Sequence, residues 1–159
     1  MANTNSGSKF YICTTPQSKD LTQSEFEALT WLEVKNIGQL PESGSTTNIV
    51  NYDTIDTTVT QKAKGMTDAG SGTLELALVS SDESYLALVK AARSNYNYAF
   101  KRELADAPSA TMTNTVLYNR GLITGPATSG AGVEDFVTAT FTFGYNQQEI
   151  VVAPKAISA

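Results

Sequence analysis

Catalysis near neutral pH needs a group that can take and return a proton, and the commonest such group, histidine, is missing from all 159 residues. Its absence also removes the usual partner of a Ser or Cys nucleophile and the commonest metal ligand. Three carboxylate pairs remain for acid–base work: Asp82/Glu83, Glu134/Asp135, and Glu103 with Asp106. The first falls where a helix begins, so capping accounts for it. The second opens a strand beside a Gly-rich loop and the third closes one, so both read as solvated strand ends. Cys13 is the one cysteine, which leaves no disulfide and no cysteine metal cluster. Set among alternating aromatics with no histidine, it reads as a packed thiol. The stretch Asn51–Asp56 lacks the Gly and terminal Glu of a calcium loop. GPATSGAG, from Gly125, lacks the Lys-Ser/Thr of a phosphate cradle. No enzyme, metal site or cofactor is expected.

The composition fits a structural β-protein. Only 17% of residues are charged and 41% are hydrophobic, so Thr, Ser and Asn supply the polar bulk. Thr in such numbers suits half-exposed strands. A formal charge of -5 leaves no cationic surplus for gripping phosphates. Met1–Ser8 is polar and unlike a signal peptide, and no stretch is apolar for the ~20 residues a membrane helix needs. No membrane association is expected.

Periodicity places the elements. After a flexible arm, 1–8, a strand runs over Lys9–Thr14 with Phe10 and Ile12 inward. Thr22 and Glu25 have capping-box spacing for a short helix over Leu21–Leu29. Trp31–Ile37 reads as one strand ending at Gly38. Gln39–Gly72 is the least regular stretch, with β-like pieces only at Ile49–Tyr52 and Thr57–Thr60. A strand over Thr73–Val79 places Leu74, Leu76 and Leu78 on one face. The clearest helix is capped by Ser81 or Asp82 and runs to about Arg93, with a Tyr85, Leu88, Val89, Ala92 stripe. Further strands are Tyr96–Leu104 (Tyr96, Tyr98 and Phe100 inward), Asn114–Ile123 with Gly121 as a bulge, and Val133–Tyr145 (Val137, Ala139, Phe141 and Phe143 inward). A short edge strand follows at Glu149–Val152, then a tail, 153–159. Aromatics beside bases in YNYAFKR suit base stacking, but their strand spacing favours the core. The class is mainly β: two packed antiparallel sheets, sandwich or barrel-like, flanked by a helix at about 81–93. It forms one domain over 9–152.

The order of these pieces resembles the tail tube protein family of siphophages over about residues 8–152. The resemblance is carried by Trp31-Leu-Glu-Val-Lys-Asn-Ile-Gly, then a long polar loop, then Lys62-Ala-Lys-Gly-Met-Thr-Asp-Ala-Gly before Thr73-Leu-Glu-Leu-Ala-Leu. The helical Tyr85-Leu-Ala-Leu-Val-Lys-Ala-Ala and the strand Tyr98-Ala-Phe-Lys follow. It implies hexameric rings stacked into a tube in the virion, four strands per subunit joining a continuous inner barrel, and DNA passing without sequence-specific binding. It also implies assembly in the host cytoplasm with itself and with tape measure, tail terminator and distal tail proteins. Some relatives carry a C-terminal immunoglobulin-like domain, which is not expected within these 159 residues.

Twenty-four strands at about 4.8 Å spacing and about 40° tilt give a barrel roughly 50 Å across, wide enough for a duplex after side chains are subtracted. Such a wall must not hold phosphates, and Glu33, Glu75 and Glu103, on outward strand positions, are its candidates. In this family the loop after the early strands reaches the next ring, so 39–72 is the stacking candidate, with Pro41, Asn51, Tyr52, Asp53, Lys62, Lys64 and Asp68 as contacts. Its lack of periodicity would fit ordering on assembly. The arm and the tail are second candidates. The alternative is a monomeric β-sandwich binding module, for instance for carbohydrate; it would display exposed Trp or Tyr, and the one tryptophan is Trp31.

Overall fold

The computed structural model describes residues 2–130 and 132–157. Met1 of the arm, Ala131 of the Gly-rich loop and Ser158–Ala159 of the tail lie outside the described residues. Ten strands and two helices are formed there: β1 (Lys9–Ile12), α1 (Gln23–Glu27), β2 (Leu32–Glu33), β3 (Ile37–Gln39), β4 (Thr46–Tyr52), β5 (Gln61–Asp68), β6 (Ser71–Ala77), α2 (Glu83–Ala92), β7 (Tyr98–Glu103), β8 (Val116–Thr128), β9 (Thr138–Tyr145) and β10 (Ile150–Val152). All pairings are antiparallel. The mainly β, two-sheet architecture is as expected, divided as eight strands in one sheet and β4–β5 in the other.

The large sheet runs β2-β1-β7-β8-β9-β6-β3, with β10 also on β8. It curls. Phe10 of β1 and Phe143 of β9 stand three strand spacings apart, roughly 14 Å in a flat sheet, yet their rings are 5.7 Å apart. The turn is made by β8, which pairs with β7 as far as Gly121 and with β9 from Gly121 onward. Two layers result, β2-β1-β7 with the start of β8, and β3-β6-β9 with its end. Between them lie Phe10, Phe100, Phe141, Phe143, Leu74 and Leu76, all buried. Alternation along β6 and β9 is the cause, since every second residue points inward.

Helix α2 packs into this core through Leu88 and Ala91, with Tyr85 edge-on to Phe141. Its N-cap is Asp82, whose carboxylate accepts from the Ser84 N–H. Helix α1 is fixed by the expected capping box between Thr22 and Glu25. It covers the opposite face of β7 and β8, where Phe26 stacks on Tyr118 at 5.1 Å beside Cys13, Ala99 and Trp31. Thr22→Ala should therefore cost about 1 kcal/mol in a urea titration; no change would mean α1 is held by Phe26 alone.

Several boundaries differ from the periodicity. Trp31–Ile37 is two strands, because the chain crosses there from one layer to the other. Asn36 takes a left-handed φ of 61°, and the Lys35 N–H is satisfied by the Ser84 hydroxyl. Tyr96 is exposed, since its strand starts only at Tyr98, and Val137 is exposed for the same reason before Thr138. Gly121 is no bulge; it is a close crossing, where a Cβ would sit 2.2 Å from the Gly144 carbonyl oxygen. The bulge falls between Thr124 and Ala127, at Gly125 with its φ of 112°. Strand β8 thus extends five residues past Ile123, to Thr128. The tail is tied down, with Thr113 donating to Lys155 and Ile157 to Thr111.

Candidate functional site

The segment 39–72 is not a long irregular loop. It forms an antiparallel ribbon, β4–β5, with Asn51 opposite Lys62, Tyr52 opposite Gln61 and Thr46 opposite Asp68. Thr57–Thr60 is part of the turn and not a strand. Opposite Asn48 the partner strand carries an extra residue, so the ribbon has a bulge at Gly65–Met66. From Gly44 to Asp68 every residue except Thr54 is exposed. Ile49, Val50, Tyr52, Ile55, Val59 and Met66 all face water, Ile55 wholly so. An isolated two-stranded hairpin is only marginally stable in water, and among the described residues the strands of this one bury no side chain against another element.

Its root is held firmly. The Arg102 guanidinium donates to the Pro41 carbonyl and to the Ser43 hydroxyl, and the Tyr145 hydroxyl donates to the Glu42 carbonyl at 3.0 Å. Burial pushes the Tyr145 hydroxyl far above its ordinary pKa, so it stays a donor. Of the candidate stacking residues, Pro41 is buried at this root and anchors the ribbon. Asn51, Tyr52, Asp53, Lys62, Lys64 and Asp68 are exposed on it. Lys62 donates to the Asn51 side chain, and Asp68 accepts from the Gly70 N–H.

The three candidate wall carboxylates divide between two surfaces. Glu33 and Glu103 flank Tyr11 on the outside of the β2-β1-β7 layer, and that tyrosine's pKa is raised by burial and then by both carboxylates. Glu33 pairs with Lys35 at 3.0 Å, Lys101 lies 4.9 Å over the Tyr11 ring, and Glu103 accepts from Asn114. Glu75 is on the outside of the other layer, between Thr140 and Gln39. Outer faces of two stacked layers point apart, so one wall can hold Glu75 or the Glu33/Glu103 pair, not all three.

The surface around Glu75 has a feature that in-and-out alternation alone did not single out. Its cross-strand rows read Leu122-Gly144-Ser71, Thr124-Thr142-Thr73, Ala127-Thr140-Glu75-Gln39 and Thr138-Ala77. They contain no Lys or Arg and one carboxylate. Among the described residues no helix covers this face, whereas α1 covers part of the other. Both its edges are partly open: β8 beyond Gly121 has only β9 beside it, and Ser71–Leu74 of β6 has no partner on the side of β3. Unpaired edges of this kind invite strands from another chain.

The remaining chemical candidates are engaged structurally. Asp82 caps α2, and Asp106 accepts from both the N–H and the hydroxyl of Thr115, which hold its carboxyl below the ordinary range. Asp135 accepts from the Gly132 N–H, and Cys13 is buried. Among the described residues, no group of three or more His, Cys, Asp or Glu is placed to hold a metal ion, and no helix is long and apolar enough to cross a membrane.

This fold has known counterparts. A chain in the six-fold symmetrised cryo-EM structure of the anti-feeding prophage (AFP) baseplate matches 92% of this chain and 91% of its own at a TM-score of 0.61 and 12% identity. The SPP1 tail tube, determined by solid-state NMR and cryo-EM, matches 95% of this chain and 78% of its own, again at 0.61, with 16% identity. The fold is tail-tube-like. No protein-family model matches the sequence, and no curated protein does. At these identities the likeness establishes the fold.

Proposed function

We propose that this chain is the structural subunit of a bacteriophage tail tube of the long, non-contractile kind, assembling with itself into hexameric rings that stack around a DNA channel. The observation that carries this reading is the β4–β5 ribbon, a two-stranded element with both faces in water and six large apolar side chains exposed. A hairpin of that kind gains stability only against another surface, and the rest of the chain offers it none. The fold shared with the SPP1 tail tube and with a six-fold symmetrised baseplate supports the ring geometry.

The threonine-rich face of β3, β6, β9 and the end of β8 is the channel wall in this reading. It comprises four strands, its edges are partly open for joining neighbours, and its outward rows carry no cation to capture phosphates. Glu75 is then the wall carboxylate, and Glu33 and Glu103 lie on the outside of the ring. Tape measure, terminator and distal tail proteins are the partners such a tube needs, and the virion is its place.

Negative-stain microscopy of the concentrated protein tests this. Uniform hollow tubes, or six-fold rings, are expected to appear as concentration rises. A persistent monomer, also with a tape-measure protein present, would defeat the proposal.

A further inference from the structure

Resting on the tube reading, we propose that the ribbon of one copy docks on the loop between β8 and β9 of the next copy, specifically on Val133, Glu134, Phe136 and Val137. The two surfaces lie at opposite ends of the subunit. The ribbon leaves the layer where Ser71 pairs with Gly144 and Gly144 with Leu122. The loop sits at the other end, where Ala77 pairs with Thr138 and Thr128 with Ala139. A layer of that length keeps them roughly 20 Å apart within one chain. Between copies they meet head to tail, the heterologous contact that builds an open stack.

Their chemistry is complementary. Directly opposed residues of an antiparallel pair share a face, so Ile49 with Lys64, and Asn51 with Lys62, give one side of the ribbon two cations around one exposed apolar side chain, while Val50 and Tyr52 point to the other side. Neither lysine forms an ion pair among the described residues. The loop is its counterpart. Val133 and Phe136 are almost wholly exposed, at 105% and 86%, and Val137 is half exposed, with Glu134 between them and unengaged by any hydrogen bond among the described residues. Asp135 is occupied in holding the loop closed through the Gly132 N–H. Just past β6, at the same end, Asp82 and the exposed Glu83 add further negative charge. An exposed apolar loop flanked by carboxylates and an exposed ribbon face with two lysines around Ile49, neither lysine ion-paired among the described residues, fit a second copy of this protein.

Charge exchange tests the pairing. Glu134→Lys alone, and Lys62→Glu with Lys64→Glu, should each raise the concentration needed for tube growth by roughly tenfold, because each contact is repeated at every subunit of a ring. The three changes combined in one chain should bring it back to within about threefold of wild type. All these side chains are exposed, so thermal midpoints should match wild type and a folding defect would be visible separately. If Glu134→Lys assembles like wild type, or the combined protein is no better than the worse parent, the docking assignment is wrong while the tube reading stands. If wild type itself makes neither rings nor tubes, the tube reading on which the assignment rests fails.

Discussion

Replacing residues 47–67 by a short Asn-Gly turn should yield a protein that folds as well as wild type and forms no tubes at all. Thr46 and Asp68 face each other across the ribbon, so a tight turn can join them without moving either. The segment removed has no buried side chain; Thr54 is its one half-buried residue. Its loss leaves the core untouched, so the thermal midpoint should stay close to wild type. The root is kept deliberately. Pro41 is buried, and Glu42 and Ser43 are held by Tyr145 and Arg102, so a wider cut over 41–70 would tear out packed residues. Circular dichroism and thermal melting report the fold, and sedimentation with microscopy reports assembly. Tubes from the trimmed protein would remove the ribbon from the stacking contact. A molten or aggregated product would show that it belongs to the folding unit.

The second large effect is expected inside the sandwich. Phe143 is fully buried, with ring centroids 4.7 Å from Phe100, 5.7 Å from Phe10 and 6.3 Å from Tyr145. It is the side chain through which the β9 layer meets both β1 and β7. Phe143→Ala removes a ring and leaves a void that surrounding strands, fixed by their ladders, cannot fill. Losses of about 3–5 kcal/mol are usual for such a site, a large part of the roughly 5–15 kcal/mol that holds a domain together. A urea titration should show a much lower midpoint at an unchanged slope. Phe136→Ala, at an 86% exposed position, is the control and should move the midpoint little. A cost below about 1 kcal/mol at Phe143 would contradict the layer stacking described above.

What could be read in the sequence follows from what burial writes into it. Leu74 and Leu76, or Ala139, Phe141 and Phe143, alternate because one face of each strand is packed, and the two N-caps are visible because Thr22 and Asp82 do local work. The ribbon is only half legible, through the β-like piece Ile49–Tyr52 that lies within β4, for the opposite reason. TTNIVNY and QKAKGMTD bury neither face, so no period of two is imposed on them, and their pairing is long-range. The layer crossing at Val34–Asn36 was hidden because Val34 is buried at a position that also suits a continuous strand. Asn36, an Asn able to adopt positive φ, was the one available signal. Alternation also separated inside from outside correctly for Glu33, Glu75 and Glu103. It could not tell one outside from the other, because which layer a strand joins depends on the bend in β8.

That bend, with the ribbon rooted at one end of the layer and the Val133–Val137 loop at the other, gives the subunit a direction. In the proposed head-to-tail stack, a column of such subunits would have two chemically different ends. One end displays a crown of bare lysine-bearing hairpins, the other a rim of aromatic and acidic loops. A protein that stops growth at the first must offer an apolar, negatively charged seat. A protein that starts growth at the second must offer a hairpin of its own. On the proposed docking, length control and initiation would fall to two different caps, each distinguishable by which end of a preformed tube it binds.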